Sequence, residues 1–392
     1  MRKIAFVVQR YGMEVNGGSE EYCRQLAEHL AAEDEVDVYT TCALDYNSWT
    51  NHYPPGEEQL CGVRIYRFPV ERTRNTEVFN ALSAQMLADP GHSDDLEEKW
   101  IDAQGPYAPA VLEALEKRRG EYAAIVFMTY LYWLAARGIL QNGEKTILIP
   151  TLHDEPWVYV RYYDREFRAA SAFAWLTPEE RAFGLKRFPS VREKPETLIG
   201  AGVEYPGETL PSLPDELKGA RYLVYAGRID ESKGCKELFS FFQRFRRKRE
   251  EEWKLVLLGK PVMEIPDDPD ILSLGFVSEE MKYAVMREAF ALVLCSRFES
   301  LSIVVLESMM MGRPVLVTGH SEVLKGHCRR SNAGLWFDNY AEFAGAMDYL
   351  REHSDVYEQM RKNGRRYVED NYRWEGITGR FRMLVDQVNQ HI

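Results

Sequence analysis

An unbroken apolar run near the start, Ile4 to Val8, is followed by a glycine turn, Asn16-Gly17-Gly18-Ser19, and then by helical spacing from Glu20 to Ala32. A second β-rich run, Val36-Asp37-Val38-Tyr39-Thr40, closes the pattern. A strand without polar alternation is buried on both faces, which a parallel sheet covered by helices provides. The order strand, glycine turn, helix, strand is a Rossmann-type opening.

The alternation continues. Strands are expected at Val63–Phe68, Ala123–Met128, Thr146–Ile149, Ala172–Leu176 and Thr197–Ile199, with helices between them. The stretch from Asp89 to Ala108 breaks the rhythm and reads as a polar insertion over a cleft. A Pro- and Gly-rich segment, Gly200 to Ala220, has the signature of a linker. Beyond it the pattern restarts with a strand at Tyr222–Ala226 and runs to a last helix near Trp374–Val388. A chain of 392 residues accommodates two such domains. The expected division is 1–203, 204–373 and a terminal helix over 374–392. Two α/β domains facing each other make a cleft at the carboxyl ends of their strands, where small molecules bind.

Composition narrows the function. The formal net charge is −12, with most of the excess acid in the first half. Phosphate neutralisation needs clustered Lys and Arg, so nucleic acid is a poor partner, and so is a broad anionic membrane surface. The six cysteines, Cys23, Cys42, Cys61, Cys235, Cys295 and Cys328, are scattered without CxxC, the usage of a reduced compartment. The opening run is too short for a signal peptide, and no apolar run is long enough to span a bilayer. A cytoplasmic protein is expected, with at most peripheral contact at the inner membrane face.

Four clusters carry candidate chemistry. Ser296-Arg297-Phe298-Glu299-Ser300-Leu301-Ser302-Ile303 leads from a buried strand into a helix, with Glu307 about one turn inside it. Free amides at a helix start bind phosphate, and the two carboxylates lie along the same groove to take sugar or ribose hydroxyls. The bland alternative makes Ser302 a capping residue and leaves both glutamates solvated, although Glu307 stands in an apolar run. Gly227-Arg228-Ile229-Asp230-Glu231-Ser232-Lys233-Gly234 follows the first strand of the second domain. Its Arg228 and Lys233 suit a diphosphate whose charge grows as a bond breaks. The Gly17-Gly18 loop permits close approach of a ligand to the backbone. His153, in Thr151-Leu152-His153-Asp154-Glu155-Pro156-Trp157, stands at a strand's carboxyl end beside carboxylates.

Taken together, these clusters resemble the retaining GT-B glycosyltransferases of family GT4. Glu299 and Glu307 resemble its EX7E pair, Gly227 through Gly234 its diphosphate loop, Asn16 through Glu20 its N-terminal glycine loop, and His153-Asp154 its cleft histidine. Ile199 to Glu204 is similar to its interdomain segment, and Met311-Gly312-Arg313-Pro314-Val315 to the turn after the second Glu. The resemblance implies a GT-B fold whose last helix crosses back to the first domain. It implies that Arg228 and Lys233 hold the donor diphosphate, helped by Gly227 and the amides near Ser302 and Ile303. It implies that Glu299 contacts the donor sugar, Glu307 the ribose, and His153 the reacting sugar. Gly17 and Gly18 would then lie near the diphosphate and acceptor. The implied reaction moves a hexose from a UDP- or GDP-sugar to a hydroxyl of a carbohydrate or lipid-linked acceptor, with retention and with no metal or other cofactor. Cell-surface polysaccharide or glycolipid synthesis is the implied setting. Two departures stand out: Gly200-Ala201-Gly202-Val203-Glu204 replaces Asn-Gly-Val-Asp, and Glu299-Ser300-Leu301-Ser302 replaces Glu-Pro-Phe-Gly. A nucleotide-sugar 2-epimerase, a phosphorylase or a non-catalytic binding protein on the same fold are the alternatives.

Other signals read as structure. Asp268-Pro269-Asp270 reads as a turn, His320-Ser321-Glu322 as chain neighbours, and His327-Cys328 as too little for zinc. The basic residues Arg244, Arg246, Arg247, Lys248 and Arg249 read as a solvated helix face. Tyr11, Trp49, Trp100, Tyr107 and Trp157 are candidates for an aromatic sugar platform, some of them belonging to the core.

Overall fold

The computed structural model describes residues 1–15, 17–89, 91–248 and 252–390, so Asn16 and Arg249 lie outside the described residues. They form two compact units, one of Met1–Ala201 with Glu375–Ile392, the other of Gly202–Trp374.

The first unit runs β1 (Lys3–Val7), α1 (Gly18–Leu30), β2 (Glu35–Thr41), β3 (Gly56–Leu60), β4 (Val63–Phe68), α2 (Thr76–Ala88), α3 (Asp94–Gln104) and α4 (Pro109–Arg118). It continues with β5 (Ala124–Met128), α5 (Trp133–Asn142), β6 (Thr146–Ile149), α6 (Tyr162–Ala169), β7 (Ala172–Trp175), α7 (Pro178–Arg187) and β8 (Glu196–Leu198). Its sheet has the order β3-β4-β2-β1-β5-β6-β7-β8. Every pairing is parallel except β3 with β4. The central strands β5, β6 and β7 are buried throughout, as their unbroken apolar sequences require.

One strand goes unannounced and one expectation fails here, each for a physical reason. The sequence Gly-Glu-Glu-Gln-Leu of β3 is almost wholly exposed and carries no apolar alternation to announce a strand. The strand exists because Cys61 and Gly62, at φ 49° and 83°, make a two-residue turn of the kind that joins antiparallel neighbours. Its charges suit a sheet edge. The stretch 89–108 is no polar insertion either. Ser93 Oγ accepts the Leu96 amide to open α3, and α3 sinks Trp100 and Ile101 into the core. Trp100 stacks on Trp157 at 4.8 Å, and Tyr11 and Trp49 are fully buried. Three of the five aromatics proposed as a sugar platform are therefore core.

The second unit contains β9 (Arg221–Ala226), α8 (Cys235–Arg246), β10 (Trp253–Leu258), β11 (Ile271–Gly275), α9 (Glu279–Glu288) and β12 (Ala291–Leu294). It ends with α10 (Ile303–Met310), β13 (Val315–Thr318), α11 (Glu322–Ser331), β14 (Gly334–Phe337), α12 (Tyr340–Glu352) and α13 (Ser354–Asn371). The all-parallel sheet has the order β11-β10-β9-β12-β13-β14. Within the unit that is 3-2-1-4-5-6, the doubly wound order of dinucleotide-binding sheets. The order reverses between β9 and β12, so the loops after these strands part there and leave a crevice. In the first unit the reversal falls between β1 and β5.

The last helix, α14 (Trp374–Gln390), belongs to the first unit from Glu375 onward. Phe381 stacks on Phe6 of β1. Arg2 pairs with Asp386 at 2.6 Å and Arg382 with Asp34 at 2.7 Å.

Candidate functional site

The crevice of the second unit is made by the two motif loops themselves. The loop after β9 begins at Gly227, whose φ of 142° is open to glycine, and ends at Gly234, whose φ is 73°. A Cβ on Gly234 would come within 2.3 Å of the Cys295 carbonyl oxygen, so this loop lies directly on the end of β12. Asp230 shapes its middle by accepting the Ser232 amide at 2.8 Å, and it pairs with Arg228 at 2.9 Å. Burial works against the Asp230 charge, but the Ser232 bonds and Arg228 hold its carboxyl below the usual range. Tyr225 Oη donates to the Arg228 carbonyl at 2.6 Å.

Lys233 and Glu299 then join the two loops. Lys233 Nζ donates to Glu299 Oε1 at 2.8 Å, with 34% and 15% of the two side chains exposed. The pair is accessible enough to exchange partners. Arg228 sits on the same loop and pairs with Asp230.

Ser302 stands at the start of α10 but does not cap it with its side chain. Its backbone is left-handed, at φ 65° and ψ 74°, and its Oγ is buried without a hydrogen-bond partner among the described residues. The geometry aims the first amides of α10, at Ile303 and Val304, out of the helix start, where no carbonyl of an earlier turn reaches them. Glu307 lies one turn on, on the same side as Ile303. It is not solvated: 8% of its side chain is exposed, and Oε1 accepts Lys282 Nζ at 2.7 Å and Tyr283 Oη at 3.1 Å, both from α9. Burial opposes the Lys282 charge, yet Glu307 and Glu279 outweigh it and hold its pKa above the ordinary value.

His327 of α11 anchors the same loop. Its Nε2 binds the Leu301 carbonyl at 2.8 Å, and its Nδ1 meets Tyr367 Oη at 3.1 Å. Burial pushes this imidazole down to about 3, so it is neutral at ordinary pH, with Nε2 as donor and Nδ1 as acceptor.

In the first unit, the loop after β1 is built around a buried ion pair. Arg10 donates to Glu20 Oε1 through Nε at 2.9 Å and Nη2 at 2.6 Å, and Gln9 adds a third bond at 3.0 Å. A Cβ on Gly17 would meet Glu20 Oε2 at 2.4 Å, whereas a Cβ on Gly18 would meet nothing within 4 Å. Gly17 is needed by the fold; Gly18 leaves open space.

His153 follows β6. Its Nε2 lies 3.3 Å from Glu155 Oε1, which also accepts Tyr130 Oη at 3.2 Å. Glu180 of α7 fixes the approach by accepting the Leu152 amide at 2.6 Å and the Leu176 amide at 2.5 Å. Burial pushes Glu180 up to about 8 against these donors. Thr129 and Thr151, just beyond β5 and β6, both have positive φ and share a hydrogen bond of 3.1 Å. Strain of this kind gathers where the surrounding structure holds a functional shape.

Sequence reasoning missed Lys282, Tyr283 and His327 as partners of site residues. Only Lys282 left a trace, as a lysine between Met281 and the apolar Ala284 and Val285. Of the signals read as structure, Asp268 and Asp270 both pair with Arg246, and Ser321 caps α11. Arg244 stacks on Tyr340 at 3.8 Å. Among the described residues, no group of three or more His, Cys, Asp or Glu is arranged to hold a metal ion, and no helix is long and apolar enough to cross a membrane.

Residues 214–367 match the family model described as glycosyl transferases group 1. Over 114 residues, 28% of this chain, the sequence is 32% identical to glycosyltransferase 1 domain-containing protein 1 of Xenopus tropicalis, and the match spans 32% of that relative. It is 24% identical to an uncharacterized glycosyltransferase of Methanocaldococcus jannaschii, over 96% of this chain and 95% of the relative. Sucrose-phosphate synthase from Thermosynechococcus elongatus has the same fold, with a TM-score of 0.73 at 18% identity, and the likeness covers 100% of both chains. HepE of Anabaena, solved with UDP and glucose, gives a TM-score of 0.68 at 13% identity over 99% of this chain and 100% of its own. The architecture is that of the GT-B glycosyltransferase structures, and the domain over 214–367 is matched by the glycosyl transferases group 1 model.

Proposed function

We propose that the chain is a retaining, metal-independent hexosyltransferase that takes its sugar from a UDP- or GDP-sugar and delivers it to a hydroxyl of a carbohydrate or lipid-linked acceptor. The observation that carries this reading is the Lys233–Glu299 contact at the switch point. It puts a diphosphate-binding cation and a hydroxyl-binding carboxylate side by side, beside a helix start with open amides.

Lys233 and Arg228 bind the diphosphate and stabilise the charge it gains on leaving. Gly227 and the amides at Ser302 and Ile303 take phosphate oxygens. Glu299, released from Lys233, accepts donor-sugar hydroxyls, and Glu307 accepts the ribose diol. In the first unit, His153 serves the reacting sugar, with Gly17 and Gly18 nearest the diphosphate and acceptor. The bond from the anomeric carbon to the phosphate oxygen breaks, and its electron pair leaves with the nucleoside diphosphate. The acceptor oxygen bonds the anomeric carbon on the same face, and its proton passes to that leaving oxygen. An acceptor in polysaccharide or glycolipid synthesis fits this role.

Calorimetric titration with UDP, GDP and ADP in the presence of EDTA tests the donor site. One nucleotide is expected to bind in the micromolar range, and Lys233→Ala is expected to lose that binding. If none of the three binds, the donor-site reading is wrong. Glu307→Ala is expected to stop transfer while leaving the fold intact.

A further inference from the structure

We infer that Lys282 and Tyr283 are positioning residues that make the donor site selective for the ribose diol; this rests on the reading of Glu307 above. Both side chains rise from α9 and bind the same oxygen, Glu307 Oε1, at 2.7 and 3.1 Å. Glu307 Oε2 takes no bond from any described residue. A carboxylate held this way cannot turn about its last torsion without losing an ammonium and a phenol together. Its second oxygen therefore stands as a fixed acceptor for the ribose hydroxyls.

Lys282 also spans to Glu279 Oε2 at 2.7 Å, so one ammonium bridges two carboxylates and offsets one of their two charges. With 16% of its side chain exposed, it is a built-in countercharge rather than a solvated lysine. Without it, Glu307 is held at Oε1 by the Tyr283 phenol alone and loses its countercharge. The ion pairs of Lys282 are with Glu307 and Glu279, so the effect falls on the nucleoside half of the donor. Hydrogen bonds to a charged group are worth about 1.5–3 kcal/mol, so loss of the diol from a well-held site costs roughly 10- to 100-fold in affinity.

The test compares five titrations on the full chain: UDP, GDP, the 2′,3′-dideoxy counterpart of each, and inorganic diphosphate. In the native protein, the preferred nucleotide is expected to bind about 10- to 100-fold more tightly than its dideoxy form. Lys282→Met is expected to pull that ratio toward one and leave inorganic diphosphate binding within about twofold, a split that a collapsed site does not give. Tyr283→Phe, which removes a single oxygen, is expected to lower the ratio partly. Lys282→Arg, which keeps the charge and reaches both acids, is expected to restore most of it. A Lys282→Met protein that keeps the native ratio overturns this inference and leaves the donor site standing. A native protein that binds neither nucleotide nor diphosphate overturns the donor site and this inference with it.

Discussion

The two units build the same device, a glycine-bearing loop after the first strand at a switch point, and load it with charge in opposite ways. In the first unit Arg10 and Glu20 are 5% and 4% exposed, and Gln9 and Ser19 bond the same carboxylate. In the second, Lys233 and Glu299 are 34% and 15% exposed and joined by one bond. A buried, saturated pair is locked, because separating it strands a charge in low dielectric. A pair at the edge of solvent holds its residues near the needed positions yet costs little to open. The first loop is thus a locked structural part that presents Gly18, and the second holds a pair that opens at little cost.

Breaking each pair is the sharpest way to test that contrast. Arg10→Ala leaves Glu20 buried without its partner and is expected to cost about 3–5 kcal/mol in urea unfolding. Lys233→Ala is expected to cost under about 1 kcal/mol of stability, while transfer falls by roughly 100- to 1000-fold. Equal losses of stability in the two variants would erase the distinction.

The glycines extend it. Gly234→Ala puts a methyl against the Cys295 carbonyl at a backbone of φ 73° and is expected to cost about 2–4 kcal/mol. Gly18→Ala meets nothing and is expected to leave the melting temperature within a degree or so. If the space beside Gly18 is kept for a ligand, the same variant lowers turnover. A Gly18→Ala enzyme with native kinetics would show that the first loop serves the fold alone.

A smaller effect comes from the anchor beneath the second loop. The folded imidazole of His327 has a pKa near 3, below the 6.5 of the free side chain. The stability it contributes is complete above pH 6.5. As pH falls from 6.5 toward 3, the unfolded chain takes up a proton there and the folded chain does not, so stability drops. One group gives a slope of at most about 1.4 kcal/mol per pH unit. His327→Gln is expected to flatten the native profile in that window, measured by urea unfolding at successive pH values. An unchanged slope would assign the acid sensitivity elsewhere.

How much of this was legible in the sequence depended on range. The buried strands announced themselves, because a strand covered on both faces must be apolar throughout, as Ala124–Met128 is. The edge strand β3 did not, since its only structural cause is a turn at Cys61-Gly62. The loops carrying Arg228, Lys233 and Glu299 were readable as local motifs. Their partners were not: Lys282 is 25 residues from Glu307, and His327 is 26 from Leu301. No local pattern encodes pairs that only the fold of the sheet brings together. Trp100 misled because polar residues of α3 such as Asp95 and Lys99 are exposed while it is buried in the core.

The smallest expected effect bears on the one place where this chain departs from its resemblance and the backbone shows the consequence. The related motif ends in glycine where this sequence has Ser302, and Ser302 holds φ 65° with a buried hydroxyl that bonds nothing among the described residues. A side chain in the left-handed region costs about 1–2 kcal/mol that glycine does not incur. Glycine also gains more freedom in the unfolded chain, which returns roughly 0.5–1 kcal/mol of that difference. Ser302→Gly is therefore expected to raise stability by no more than about 1.5 kcal/mol. If the hydroxyl is spare, nucleotide affinity stays native and the serine is only tolerated strain. If affinity falls while stability rises, the buried hydroxyl is kept for the ligand, and the second loop stores strain for binding where the first stores none in its buried ion pair.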